Sequence, residues 1–141
     1  MGPKPNQTIL IVEDDEITRT VLQRRLEAKG YMVLAVSGGR QALETVERQP
    51  VDLVLLDTVM PEMDGLEVLE RLREKRTATD LPIIMVTYKE SSSDVVRALR
   101  LGANDYVAKS LDFEVILARV RTHLLLLTLT RQVEHLKNTS L

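Results

Sequence analysis

Five short apolar runs, each followed by a stretch with helical spacing, constrain the fold of this chain more than anything else in it. The runs are Thr8–Val12, Tyr31–Val36, Leu53–Leu56, Pro82–Val86 and Asp105–Ala108. Most of them are nearly continuous in aliphatic residues, the pattern of strands buried on both faces. Between them lie amphipathic stripes: Ile17, Val21, Leu22 and Leu26; then Ala42, Leu43 and Val46; then Leu66, Val68, Leu69 and Leu72; then Val95, Val96, Leu99 and Leu101. Gly30 and Gly102 suit left-handed C-terminal caps, and Ser91 to Asp94 offers N-cap chemistry. Strands alternating with helices through short connections require a parallel sheet with right-handed crossovers and helices on both faces. The expected fold is therefore α/β, a doubly wound five-stranded parallel sheet in the order 2-1-3-4-5.

Composition narrows the classes of function. At 141 residues the chain holds one domain with a proper core. A net charge of −2 gives no overall attraction to nucleic acid or to an anionic membrane. The absence of cysteine excludes disulfides and thiolate metal sites, which fits a reducing cytoplasm. The opening MGPKPNQ has no apolar signal core, and no apolar run reaches membrane-spanning length. With only Tyr31, Tyr88, Tyr106 and Phe113 as aromatics, base-stacking platforms are not expected. These readings point to a soluble cytoplasmic protein with no direct nucleic-acid or membrane partner.

In doubly wound sheets, function sits at the carboxyl ends of the strands. Taken in order, those ends are Glu13, Asp14 and Asp15; Asp57; Thr87; and Lys109. Asp57 stands at the tip of a buried strand, where an unpaired charge costs several kcal/mol. Carboxylates gathered there repel one another unless a cation sits among them, and Mg²⁺ with its hard oxygen ligands is the natural occupant. A lysine and a threonine hydroxyl beside it are what a developing phosphoryl charge requires. No phosphate-cradling glycine motif and no Cys-His or Ser-His arrangement is present. The remaining nucleophile is a carboxylate, and Asp57 is the best placed. Asp15 is one acid more than such a site needs and suits a helix start. His123 and His135 are isolated on a helix and read as contact or surface residues.

The acidic pair Glu13-Asp14, Asp57 followed by Met60-Pro-Glu-Met-Asp-Gly65, Thr87, the run Gly102-Ala-Asn-Asp-Tyr106, and Lys109 lie in register at successive strand ends. In these features the chain resembles the CheY-like receiver domains of two-component response regulators, from about Thr8 to Arg121. The resemblance implies a flavodoxin-like (βα)5 fold and phosphorylation of Asp57 by a sensor histidine kinase or a small phosphodonor. It implies Mg²⁺ held by Asp14, Asp57 and the Val59 carbonyl, with Glu13 acting through water. Thr87 and Lys109 would contact the phosphoryl oxygens, and Tyr106 would be the aromatic switch turning inward with Thr87. Such a domain is not an enzyme beyond its own phosphoryl transfer and autodephosphorylation. Two positions depart from the family pattern. Ser110 follows Lys109 where a cis proline is usual, and a cis bond without proline costs about 2.5–4 kcal/mol, so a trans or strained cis bond is expected. Tyr88 stands where a small residue is common and is expected to narrow the entrance. Two rivals remain: a degenerate receiver acting as a dimerisation or docking module, and an aspartyl phosphatase, which would want an acid where Val59 stands.

The last segment carries two stripes. Phe113, Ile116, Leu117, Val120, Leu124 and Leu127 suit packing on the sheet, whereas Leu126, Leu129, Val133 and Leu136 follow a-d spacing for about two heptads. The expected organisation is a disordered tail over 1–7, the receiver over 8–122, and an extension of the last helix over 123–141. That extension is expected to form a dimeric coiled coil leading to an output domain beyond this chain, with the face of the fourth helix, fifth strand and final helix as the other candidate dimer surface and a stand-alone receiver as the lesser reading. The alternative is a helix folded back on its own domain.

Overall fold

The computed structural model describes residues 7–88, 91–109 and 112–139. Ten elements alternate strictly: β1 (Thr8–Val12), α1 (Glu16–Ala28), β2 (Met32–Val36), α2 (Gly39–Arg48), β3 (Leu53–Leu56), α3 (Gly65–Arg73), β4 (Ile83–Thr87), α4 (Ser92–Arg100), β5 (Asp105–Ala108) and α5 (Phe113–Thr139). All strand pairs are parallel and the sheet order is β2-β1-β3-β4-β5, as the alternation predicts. The chain reverses direction of winding between β1 and β3, so a crevice opens at their carboxyl ends. Of the expected tail, residues 1–6 lie outside the described residues, and the Gln7 carbonyl accepts from Met32 N–H at 3.0 Å.

Strand side chains alternate between two cores because the pleat has a period of two. Leu10, Val12, Val54, Leu56, Ile83 and Met85 join α2, α3 and the Ala98 face of α4 in one cluster. Ile9, Ile11, Leu53, Leu55, Ile84 and Val86 join Leu26 of α1 and the buried stripe of α5 in the other. The caps follow the sequence signals. Gly30 and Gly102 take φ of 98° and 107°, and the Ser91 hydroxyl accepts from Asp94 N–H at 3.2 Å.

Two amphipathic stripes are covered less than their spacing suggests. On α1 only Leu26 is buried, while Ile17 is 76% exposed and Val21 is exposed beside it. On α4 only Ala98 is buried, and Val96 and Leu99 face outward. Periodicity reports which side of a helix is apolar; what covers that side depends on the sheet's width, which the helical pattern does not encode. In α5 the first stripe is buried from Ile116 to Leu127, whereas Leu126, Leu129, Val133 and Leu136 are exposed. Residues 131–139 are exposed throughout, so the last helical turns stand clear of the domain. Arg131 is tied back to Asp52 at 3.0 Å.

Candidate functional site

Asp57 is the first residue past β3, and Glu13 the first past β1. Both are held by continuation of the ladder: Asp57 N–H donates to the Val12 carbonyl at 3.0 Å and Glu13 N–H to the Val36 carbonyl at 3.1 Å. The backbone therefore carries the two acids one step beyond the sheet without losing the strands' placement. Between them sits Lys109, the first residue past β5. Its ammonium lies 3.1 Å from Asp57 Oδ2 and also contacts Glu13 Oε1. All three side chains are nearly closed off from solvent. Asp14 lies on the exposed rim, and one oxygen from each of Glu13, Asp14 and Asp57 falls within 4.8 Å of the others.

The charges bear on each other strongly because water is excluded. Burial pushes the Glu13 carboxyl up to about 7, against the opposing hydrogen bonds of Lys109 and Asp15 N–H. Burial pulls the Lys109 ammonium down, but its hydrogen bonds to Glu13 and Asp57 more than offset this and hold it above the usual lysine value. The site is thus acid-rich, with one ammonium shared by two buried carboxylates and a third at the rim. Its donor set, three convergent carboxylates, fits a hard divalent cation.

Neighbouring residues fix the loop. Arg19 donates from Nη1 to the Glu13 carbonyl at 2.9 Å, and Asp15 caps α1 by accepting from Thr18 N–H at 2.8 Å, the helix-start role its excess charge suggests. Val59 is exposed, and its N–H donates to Asp57 Oδ1 at 3.3 Å. Thr87 ends β4, fully buried, with its hydroxyl against the hydroxyl of Thr58. Tyr106, on β5 opposite Met85, is half-buried against the first core cluster. A cavity of about 150 Å³ is lined by Thr58, Met60, Leu66 and Tyr106. Tyr88 is 71% exposed with the Lys109 ammonium 5.2 Å from its ring centroid, so the ring lies beside the mouth of the site. The Lys109–Ser110 bond lies outside the described residues.

A second cavity, about 270 Å³, opens between α1 and α5 beside the acids. Its walls include Ile17, Val21, Leu22, Phe113 and Ile116, and Asp57 and Lys109 close one end. Two features escape sequence reasoning. Thr58 is buried beside Asp57, and its only sequence signal is a hydroxyl adjoining that acid. Asp105 pairs with His123 at 3.0 Å and Arg119 at 3.3 Å, a contact between β5 and α5 that two positions eighteen residues apart do not announce.

Comparison with known proteins agrees with this fold. A family model described as the response regulator receiver domain matches residues 9–121. The uncharacterized transcriptional regulatory protein YkoG of Bacillus subtilis is 45% identical over 116 residues, covering 82% of this chain and 50% of the relative. The alkaline phosphatase synthesis transcriptional regulatory protein PhoP of the same organism is 40% identical, covering 82% and 48%. The chain spans about half the length of these curated relatives. Among solved structures, the BeF3-activated N-terminal receiver domain of Klebsiella pneumoniae RstA superposes with a TM-score of 0.79 at 34% identity, covering 84% of this chain and 98% of that one.

Proposed function

This chain belongs to the response regulator receiver domain family, and we propose that within it Asp57 is the phosphoacceptor of a Mg²⁺-dependent switch. The observation that carries the reading is the placement of Asp57: buried, at a strand tip, with an ammonium at 3.1 Å and two further carboxylates beside it. A carboxylate oxygen of Asp57 attacks phosphorus in line while the bond from phosphorus to the donor breaks. With a phosphohistidine donor, the leaving imidazole nitrogen takes up a proton. Lys109 pairs with a phosphoryl oxygen as negative charge gathers there, and its buried setting strengthens that pairing. Glu13, Asp14, Asp57 and the Val59 carbonyl would hold Mg²⁺. When bound, the ion neutralises phosphoryl charge. The Thr87 hydroxyl donates to another phosphoryl oxygen, and Tyr106 turns inward with it toward the cavity beside Thr58. Phosphorylation then shifts a two-state equilibrium whose readout is the face formed by α4, β5 and α5.

The partner is a sensor histidine kinase or a small phosphodonor in the cytoplasm. Exposed Ile17 and Val21, next to the cavity that ends at Asp57, support docking of a protein donor there. The exposed row Leu126, Leu129, Val133 and Leu136 supports a homodimer through the end of α5, leading to an output domain. Among the described residues no helix is long and apolar enough to cross a membrane. Incubation with Mg²⁺ and acetyl phosphate, followed by intact mass, is expected to add one phosphoryl group. Asp57→Asn is expected to abolish it. An unlabelled parent protein would refute the switch and favour a docking module, and sustained turnover of phosphate esters would favour a phosphatase.

A further inference from the structure

Thr58 does not enter the reaction just described, yet it is one of four buried polar residues among those described, with Glu13, Asp57 and Thr87. Its hydroxyl meets the Thr87 hydroxyl across the boundary between β3 and β4. Thr87 is the one hydrogen-bond partner of the Thr58 hydroxyl among the described residues. A threonine hydroxyl has one proton to give, and its β-branched side chain moves between staggered rotamers rather than continuously. Either hydroxyl can be the donor in this pair, so it is the rotamer change rather than the proton count that separates them: a Thr87 side chain that turns to its next staggered position toward a phosphoryl group on Asp57 carries its oxygen away from Thr58.

We propose that Thr58 is a positioning residue of the switch, a latch that holds the Thr87 hydroxyl in the unphosphorylated arrangement and opposes its turn toward phosphate. The proposal rests on the phosphoacceptor reading of Asp57. Backbone attachment supports it, because Thr58 is anchored by its carbonyl, which accepts from Gly65 N–H at 2.9 Å, so the hydroxyl is presented from a fixed point. The cavity of about 150 Å³ adds coupling, since Thr58 and Tyr106 line it together. An inward Tyr106 ring would enter that space and lie against Thr58. The latch thus acts directly on Thr87 and adjoins the space that Tyr106 would fill, and it biases the resting protein toward the inactive state.

The test is the affinity of the full chain for beryllofluoride with Mg²⁺, read by fluorine NMR. Thr58→Val keeps the shape and removes the hydroxyl. It is expected to bind about five- to tenfold more tightly, the size of one neutral hydrogen bond. Thr58→Ser is expected to return to the parental affinity. In a Thr87→Ala background, Thr58→Val is expected to change nothing, a dependence that a purely structural role would not produce. Should Thr58→Val fail to fold, Thr58→Ala carries the same comparison. Unchanged or weaker binding by the valine variant, or an equal gain in the Thr87→Ala background, overturns the latch while leaving the phosphoacceptor reading intact. A parent protein that takes up no beryllofluoride overturns both.

Discussion

Replacing Gly65 with alanine strikes the phosphoacceptor without touching its side chain. A methyl group there would stand 2.1 Å from the Asp57 carbonyl oxygen, 2.7 Å from Thr58 Cα and 2.9 Å from the Asp57 carbonyl carbon. All three are backbone atoms, so no side chain can swing aside, and the start of α3 must part from the end of β3 by at least about 1.3 Å to reach ordinary contact. Overpacking of this kind costs about 1–3 kcal/mol. Stretching the bond from Gly65 N–H to the Thr58 carbonyl, now 2.9 Å, adds about 1 kcal/mol. The sum, about 2–4 kcal/mol, corresponds to a fall of about 6–12 °C in the thermal midpoint for a chain of this size. Because the displaced carbonyl belongs to Asp57, labelling by acetyl phosphate is expected to slow by about a hundredfold, the usual penalty for 1 Å of misplacement. Gly38→Ala is the control: its added methyl meets nothing within 4 Å. It is expected to cost under about 1 kcal/mol, as a changed helix cap, and to leave labelling alone. A Gly65→Ala protein that melts within about 2 °C of the parent would refute the steric argument whatever Asp57 does.

Two further outcomes follow from the packing of α5. The Asp105 carboxyl is raised by burial, but His123, Tyr106 N–H and Arg119 together hold it below its ordinary 3.8. A depressed acid stabilises the fold above the unfolded value and loses that contribution as pH falls through the folded one. Thermal midpoints of parent and Asp105→Asn, scanned downward through the acid range, are therefore expected to converge below the ordinary value. Parallel curves throughout would refute the pairing. Leu124→Ala, at a position 2% exposed, is expected to cost about 2–5 kcal/mol in urea denaturation. Leu125→Ala, 60% exposed, is expected to stay within about 0.5 kcal/mol. Equal effects would mean that the helix is rotated from the orientation described.

The parts of this molecule legible in the sequence are those with a period or a punctuation mark. Continuous apolar runs disclosed the strands, and the polar residue closing each run disclosed Glu13, Asp57, Thr87 and Lys109 as neighbours, because parallel strands end together. Gly30, Gly102 and Ser91 announced their caps by chemistry particular to those positions. Contacts between elements are different. Nothing periodic marks Thr58, whose importance arises from the strand register that sets β3 beside β4. Asp105 and His123 look unrelated until α5 crosses β5. Arg73 is a further case: it donates from Nε to the Gly102 carbonyl and from Nη2 to Asn104 Oδ1, both at 2.8 Å, joining α3 to the turn after α4. Ile17 and Val21 are the opposite case: their apolar stripe is plain in the sequence, while their exposure depends on the sheet's width, which the helical pattern does not encode.

The unbroken run of α5 makes it a shaft as well as a lid. Its 27 residues contain neither glycine nor proline, so at 1.5 Å per residue it measures about 40 Å. Pivoted where its buried stripe ends at Leu127, the projecting part is about 18 Å long, and a tilt of about 5° moves the far end by about 1.6 Å. Twist travels as faithfully as tilt. Inserting one residue between Leu127 and Thr139 would turn everything beyond it by about 100°, while inserting seven would restore the heading to within about 20°. Angular phase, rather than distance alone, is what such a shaft delivers at Thr139, and a length change in multiples of seven is the alteration it tolerates best.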